Sequence, residues 1–150
     1  MHALVDTRLD ILATDHAPHL AEEKSRPYTQ CPSGIPLIQF ALQSALEQVL
    51  DGKLTLERLI ETTAHAPATL FAIKDRGFLR EGCFADLALI DLDTPQTVKS
   101  SDVISKCGWS PFEGDTFRSS IAATWVNGHL VWHDGQLDTS RPGMRLEFER

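Results

Sequence analysis

The chain has 150 residues and carries 14 Lys and Arg against 21 Asp and Glu, a formal charge of −7 with histidine neutral. That balance, with no basic stripe interleaved with aromatics, excludes non-specific nucleic-acid binding, because neutralising phosphates needs clustered Lys and Arg. The 42% hydrophobic and 23% charged fractions suit a soluble globular protein. No apolar run approaches the roughly 18 residues of a membrane span, and residues 1–6 lack the basic-then-apolar order of a secretory leader, so the expected location is the cytoplasm. Cys31, Cys83 and Cys107 are odd in number and form no Cys-x-x-Cys pair, which points to free thiols rather than a zinc knuckle or a disulfide framework.

In chain order, residues 10–13 read as a short buried strand, a run too short for periodicity alone to exclude a helical segment. Pro18, Pro27, Pro32 and Pro36 keep the next stretch irregular. From about residue 35 to 50, Ile35, Ile38, Leu42, Ala45, Leu46 and Val49 recur at three- and four-residue spacing, predicting an amphipathic helix that Gly52 ends. Thr55 caps a second helix burying Leu56, Leu59, Ile60 and Thr63, and Pro67 opens a third, shorter one through Leu70 and Phe71.

After Lys74 the texture becomes β-rich and punctuated by glycine. Residues 85–91 and 121–126 read as strands, and Asn127-Gly128 makes a two-residue hairpin turn because both positions need positive φ. Asp134-Gly135 marks the next turn, and residues beyond Ser140 read as a loosely held tail. Trp109, Phe112, Phe117, Trp125 and Trp132 are expected to pack the β segment, Arg76 and Arg80 to be solvated turn charges, and His2, His65, His129 and His133 to be structural.

The chemistry concentrates in Thr14-Asp15-His16-Ala17-Pro18-His19, directly after the first apolar run. A carboxylate at a strand end can hold a divalent metal or take a proton from water, and imidazoles beside it can ligate, shuttle protons or grip an anion. An isolated aspartate before a proline-rich loop can equally just cap a turn.

This segment closely resembles the late motif of dihydroorotases, cyclic amidohydrolases of pyrimidine biosynthesis. Three further stretches agree in order: residues 63–71, TAHAPATLF, resemble the helix after the barrel; 77–91, GFLREGCFADLALID, the return to a small β domain; and 106–114, KCGWSPFEG, the loop before the final strands. WVNGHLV at 125–131 resembles the closing hairpin. The resemblance implies an α/β fold, the C-terminal part of a (β/α)₈ TIM-barrel metal-dependent hydrolase followed by the β-rich segment of a small composite domain. Residues 1–74 would hold the last barrel strand and the C-terminal barrel helices, 75–137 the β-rich segment and 138–150 the tail.

By the same resemblance Asp15 is the eighth-strand aspartate, both metal ligand and proton relay. His19 binds the substrate carboxylate, and the backbone at Ser33 and Gly34 contacts substrate. His16 is given either a hydrogen bond that orients Asp15 or simple packing. The family's His-x-His pair, lysine strand and further histidines, which hold two zinc ions, have no counterpart, and no His-x-His occurs in the sequence. The expected substrate is dihydroorotate or N-carbamoyl-aspartate, with the N-terminal barrel portion or a complementary chain as partner, or self-association into a homo-oligomer. The competing readings are a non-catalytic interaction module and a fragment of an allantoinase or dihydropyrimidinase.

Overall fold

The structure, a computed structural model, describes residues 2–149. Short helices α1 (His2–Val5) and α2 (Ala21–Lys24) flank the segment that carries the motif. The main amphipathic helix, α3 (Ala41–Leu50), starts six residues later than its apolar spacing suggests. Pro36 lacks an N–H and disfavours helical geometry at the residue before it, so no helix starts at residue 35 and the chain enters α3 through a 3₁₀ turn at Ile38–Phe40. Asp51 and Gly52, the latter at φ +69°, end the helix as expected.

Thr55 caps α4 (Leu56–Ile60), its hydroxyl accepting the Arg58 N–H at 3.1 Å. The expected second and third helices are one continuous helical run, because α4 passes through a π turn at Glu61–His65 into α5 (Ala66–Leu70). Pro67 has no N–H to return to the preceding turn, and the Thr62 and Thr63 hydroxyls bond back to the Arg58 and Leu59 carbonyls. A widened turn accommodates both departures from α geometry.

The sheet is antiparallel in the order β1 (Leu87–Asp91), β4 (Ser120–Val126), β5 (His129–His133), β6 (Gln136–Leu137), while β2 (Gln96–Thr97) pairs with β3 (Thr116–Phe117) separately. Asn127 at φ +53° and Gly128 at +77° make the β4–β5 turn, and Asp134 and Gly135 the next.

Ala45, Leu46, Leu54 and Leu59 form one buried cluster, joined by Leu12, Leu42, Val49 and Ile90. Phe40, Val98 and Phe117 form a second, with Phe112 against it. Phe112 and Phe117 therefore pack the sheet region onto the entry of α3, a wider role than packing within the β segment. Arg118 adds a polar clasp between the same parts: its Nε donates to Glu47 Oε2 and its Nη2 to Asp51 Oδ1, both at 2.7 Å.

Three further expectations change. Residues 10–13 form neither strand nor helix, because a strand needs a neighbour for its backbone groups; here the Leu12 N–H goes to the Thr62 carbonyl at 3.1 Å. The tail is tied back: Met144 N–H donates to Asn127 Oδ1, Lys74 N–H to Glu147 O and Glu149 N–H to Ala72 O. Arg76 is not solvated; its side chain is 10% exposed, pairs with Asp86 and lies over the Phe84 ring at 4.4 Å.

Candidate active site

The site is a loop stitched to a second loop. Ala17 N–H donates to Ile35 O at 3.1 Å, and His16 and Ile35 form an isolated parallel bridge. Gly34 sits at φ +93°, where a Cβ would stand 2.5 Å from the Ala17 Cβ. Glycine is required there by conformation and by contact at once. Lys24 locks the second loop, its Nζ donating to the Pro32 carbonyl at 2.8 Å and the Gly34 carbonyl at 3.1 Å.

Asp15 occupies the left-handed region at φ +46° and is exposed. Aspartate tolerates this conformation better than most residues, yet it is strained. Among the described residues its carboxylate makes no hydrogen bond or ion pair. His16 does not orient it. His16 Nδ1 instead accepts the Ile38 N–H at 3.2 Å, so the imidazole ties the motif to the turn that starts α3, with Nδ1 unprotonated in that contact.

His19 is held at three points. Its N–H donates to Ala17 O at 2.9 Å, its carbonyl accepts the Trp109 Nε1–H at 2.8 Å, and its Nδ1 lies 3.8 Å from Glu23 Oε2. Glu23 also accepts the Leu20 N–H at 2.8 Å. At 3.8 Å the approach of Nδ1 to Glu23 is longer than a hydrogen bond, and Nε2 makes no hydrogen bond among the described residues. Ser33 is exposed.

Asp15, His19 and the Ser33-Gly34 turn thus share one loop pair. Beside it lies an apolar groove of about 630 Å³, lined by Leu12, Thr14, Leu37, Ile38, Leu42 and Phe112 among others. Among the described residues no group of three or more His, Cys, Asp or Glu side chains could hold a metal ion. Asp15 alone does not make a metal centre, and the binuclear site implied by the resemblance does not fit these residues by themselves. Among the described residues no helix is long and apolar enough to cross a membrane.

Sequence reading missed Lys24, Trp109 and Glu23. Lys24 and Glu23 act on backbone groups that loop spacing does not reveal, whereas Trp109 stands in a motif whose aromatic ring reads as packing.

The dihydroorotase of Halobacterium salinarum is 40% identical over 143 residues, which are 95% of this chain and 33% of that protein. The dihydroorotase of Endomicrobium trichonymphae is 37% identical over 130 residues, 86% of this chain and 31% of its own length. This chain resembles one third of a dihydroorotase. No family model matches it. Among solved structures, the L-hydantoinase (dihydropyrimidinase) of Arthrobacter aurescens superposes with a TM-score of 0.85 at 31% identity, covering 91% of this chain and 32% of that one. The fold of this dihydroorotase-like chain is therefore that of part of a hydantoinase-type amidohydrolase. It spans about a third of the length of the curated relatives it matches.

Proposed function

We propose that this chain supplies the C-terminal third of a cytoplasmic dihydroorotase, which reversibly hydrolyses dihydroorotate to N-carbamoyl-aspartate in pyrimidine biosynthesis. The observation that carries the reading is the match to dihydroorotases along nearly the whole chain. In it, residues 1–74 supply the last barrel strand and helices, 75–137 the β-rich segment and 138–150 the tail.

Asp15 takes up the proton released as water adds to the ring carbonyl and delivers it to the departing ring nitrogen as the C–N bond breaks. Its exposed carboxylate, which makes no hydrogen bond or ion pair among the described residues, suits that exchange. His19 donates an imidazole N–H to the substrate carboxylate, and the Ser33-Gly34 backbone borders the ring. The remaining two thirds of the enzyme cover the apolar groove and pair residues 10–13. The zinc ligands are assigned to that larger portion, with Asp15 the one from this chain.

Alone, the chain is expected to show no zinc-dependent turnover of dihydroorotate. Joined to the remaining two thirds of a dihydroorotase it should hydrolyse dihydroorotate, and Asp15→Asn should lower kcat by at least about a hundredfold. Robust turnover by the isolated chain would overturn the reading. A hydantoinase-type specificity is the second reading, favoured by the Arthrobacter structure; competition between hydantoin and dihydroorotate in the assembled protein separates the two.

A further inference from the structure

We infer that Trp109 is a positioning residue for His19, its indole N–H fixing the main chain that carries the imidazole. The inference rests on the reading of His19 as the contact to the substrate carboxylate. Trp109 Nε1–H reaches the His19 carbonyl at 2.8 Å across 90 positions of sequence. Indole nitrogen is a donor only, so this bond dictates which way the carbonyl faces. The two amides around it are fixed as well, His19 N–H on Ala17 O and Leu20 N–H on Glu23 Oε2. With the peptide planes on both sides of His19 set, the imidazole is left with its own side-chain torsions, and Glu23 near Nδ1 narrows those.

The loop that presents Trp109 is itself rigidly built. Cys107 and Ser110, each 7% exposed, flank it. The Cys107 thiol lies 3.5 Å from Trp109 O, and Ser110 Oγ accepts the Phe112 N–H at 3.2 Å. Phe112 is packed edge-on against both Phe40 and Phe117. Gln39 braces the residues just before: its Nε2 donates to Asp102 O at 2.5 Å and its Oε1 accepts the Ile104 N–H at 2.9 Å. Where the Trp132 indole donates to Ile121 O within its own sheet, the Trp109 indole crosses to another part of the chain and ties its loop to the main chain of His19.

Trp109→Phe keeps a ring and removes the donor, so it is the decisive variant. In the 150-residue chain, amide hydrogen exchange at residues 15–20 is expected to rise roughly three- to tenfold, with Leu46 and Leu59 unchanged. Unchanged loop exchange, or equal acceleration in the core, overturns the inference. In the chain joined to the remaining two thirds of a dihydroorotase, Trp109→Phe should raise KM for dihydroorotate about tenfold and leave kcat within about twofold. His19→Ala serves as reference. If His19→Ala raises KM and Trp109→Phe does not, the positioning role is wrong. If His19→Ala leaves KM unchanged, the reading of His19 fails, and the positioning role falls with it even where the exchange result stands.

Discussion

Gly34 and Ala17 meet so closely that the space between them admits no side chain: a Cβ on Gly34 would lie 2.5 Å from the Cβ of Ala17. The contact clamps the turn after Cys31 onto the loop bearing Asp15 and His19. Gly34→Ala should destabilise the chain by about 1–3 kcal/mol in urea unfolding, through positive φ and overlap together. Adding Ala17→Gly relieves the overlap but not the φ strain, so the double variant should recover only part of the loss. Full recovery would show that backbone conformation contributes nothing.

His16 Nδ1 accepts the Ile38 N–H at the entry to α3. Replacing His16 by Ala leaves that amide without its acceptor and should cost about 1 kcal/mol of stability. His16→Asn, whose Oδ1 stands near the position of Nδ1, should cost less. Thermal denaturation of the two variants decides, and equal losses would mean that the ring's bulk, not its nitrogen, matters.

Leu46 is fully buried in the cluster with Ala45, Leu54 and Leu59. Leu46→Ala should cost about 2–5 kcal/mol, from lost transfer energy plus a cavity that α3 and α4 cannot close. A loss below 1 kcal/mol in urea unfolding would place the centre of the core elsewhere.

Three carboxyls should make the fold acid-sensitive. Asp51 is held below its ordinary 3.8 by hydrogen bonds from Lys53 and then Arg118, Asp91 by the Asp93 amide and then the Thr94 hydroxyl, and Asp138 by hydrogen bonds from Ser140 and then His129. A depressed folded-state pKa contributes stability above the unfolded value, which is lost as pH falls through the folded one. The melting temperature should be insensitive to these groups above about pH 5 and fall below about pH 4. Asp91→Asn should flatten that fall, and an unaltered acid limb would contradict the assignment.

Much of the fold was legible because local chemistry decides it. Thr55 caps and Asn127-Gly128 turns through local chemistry, and the spacing of Leu42, Leu46 and Val49 puts them on one helix face that Leu54, Leu59, Leu12 and Ile90 then bury. Residues 10–13 misled because apolar content marks a segment for burial without supplying a partner strand. The continuity of α4 and α5 was hidden because Pro67 usually opens a helix, and only the widened turn lets it stand inside one. The motif pointed to Asp15 and His19, but their supports, Lys24, Glu23 and Trp109, act through backbone atoms that sequence does not display.

The link from Trp109 to His19 also orders events in time. It closes a loop of 90 residues, and such closure is entropically costly until nearer contacts have formed. The tie at Trp109 is therefore expected to close after the nearer ties of the same loop, Ala17 to Ile35 and His16 to Ile38, have formed.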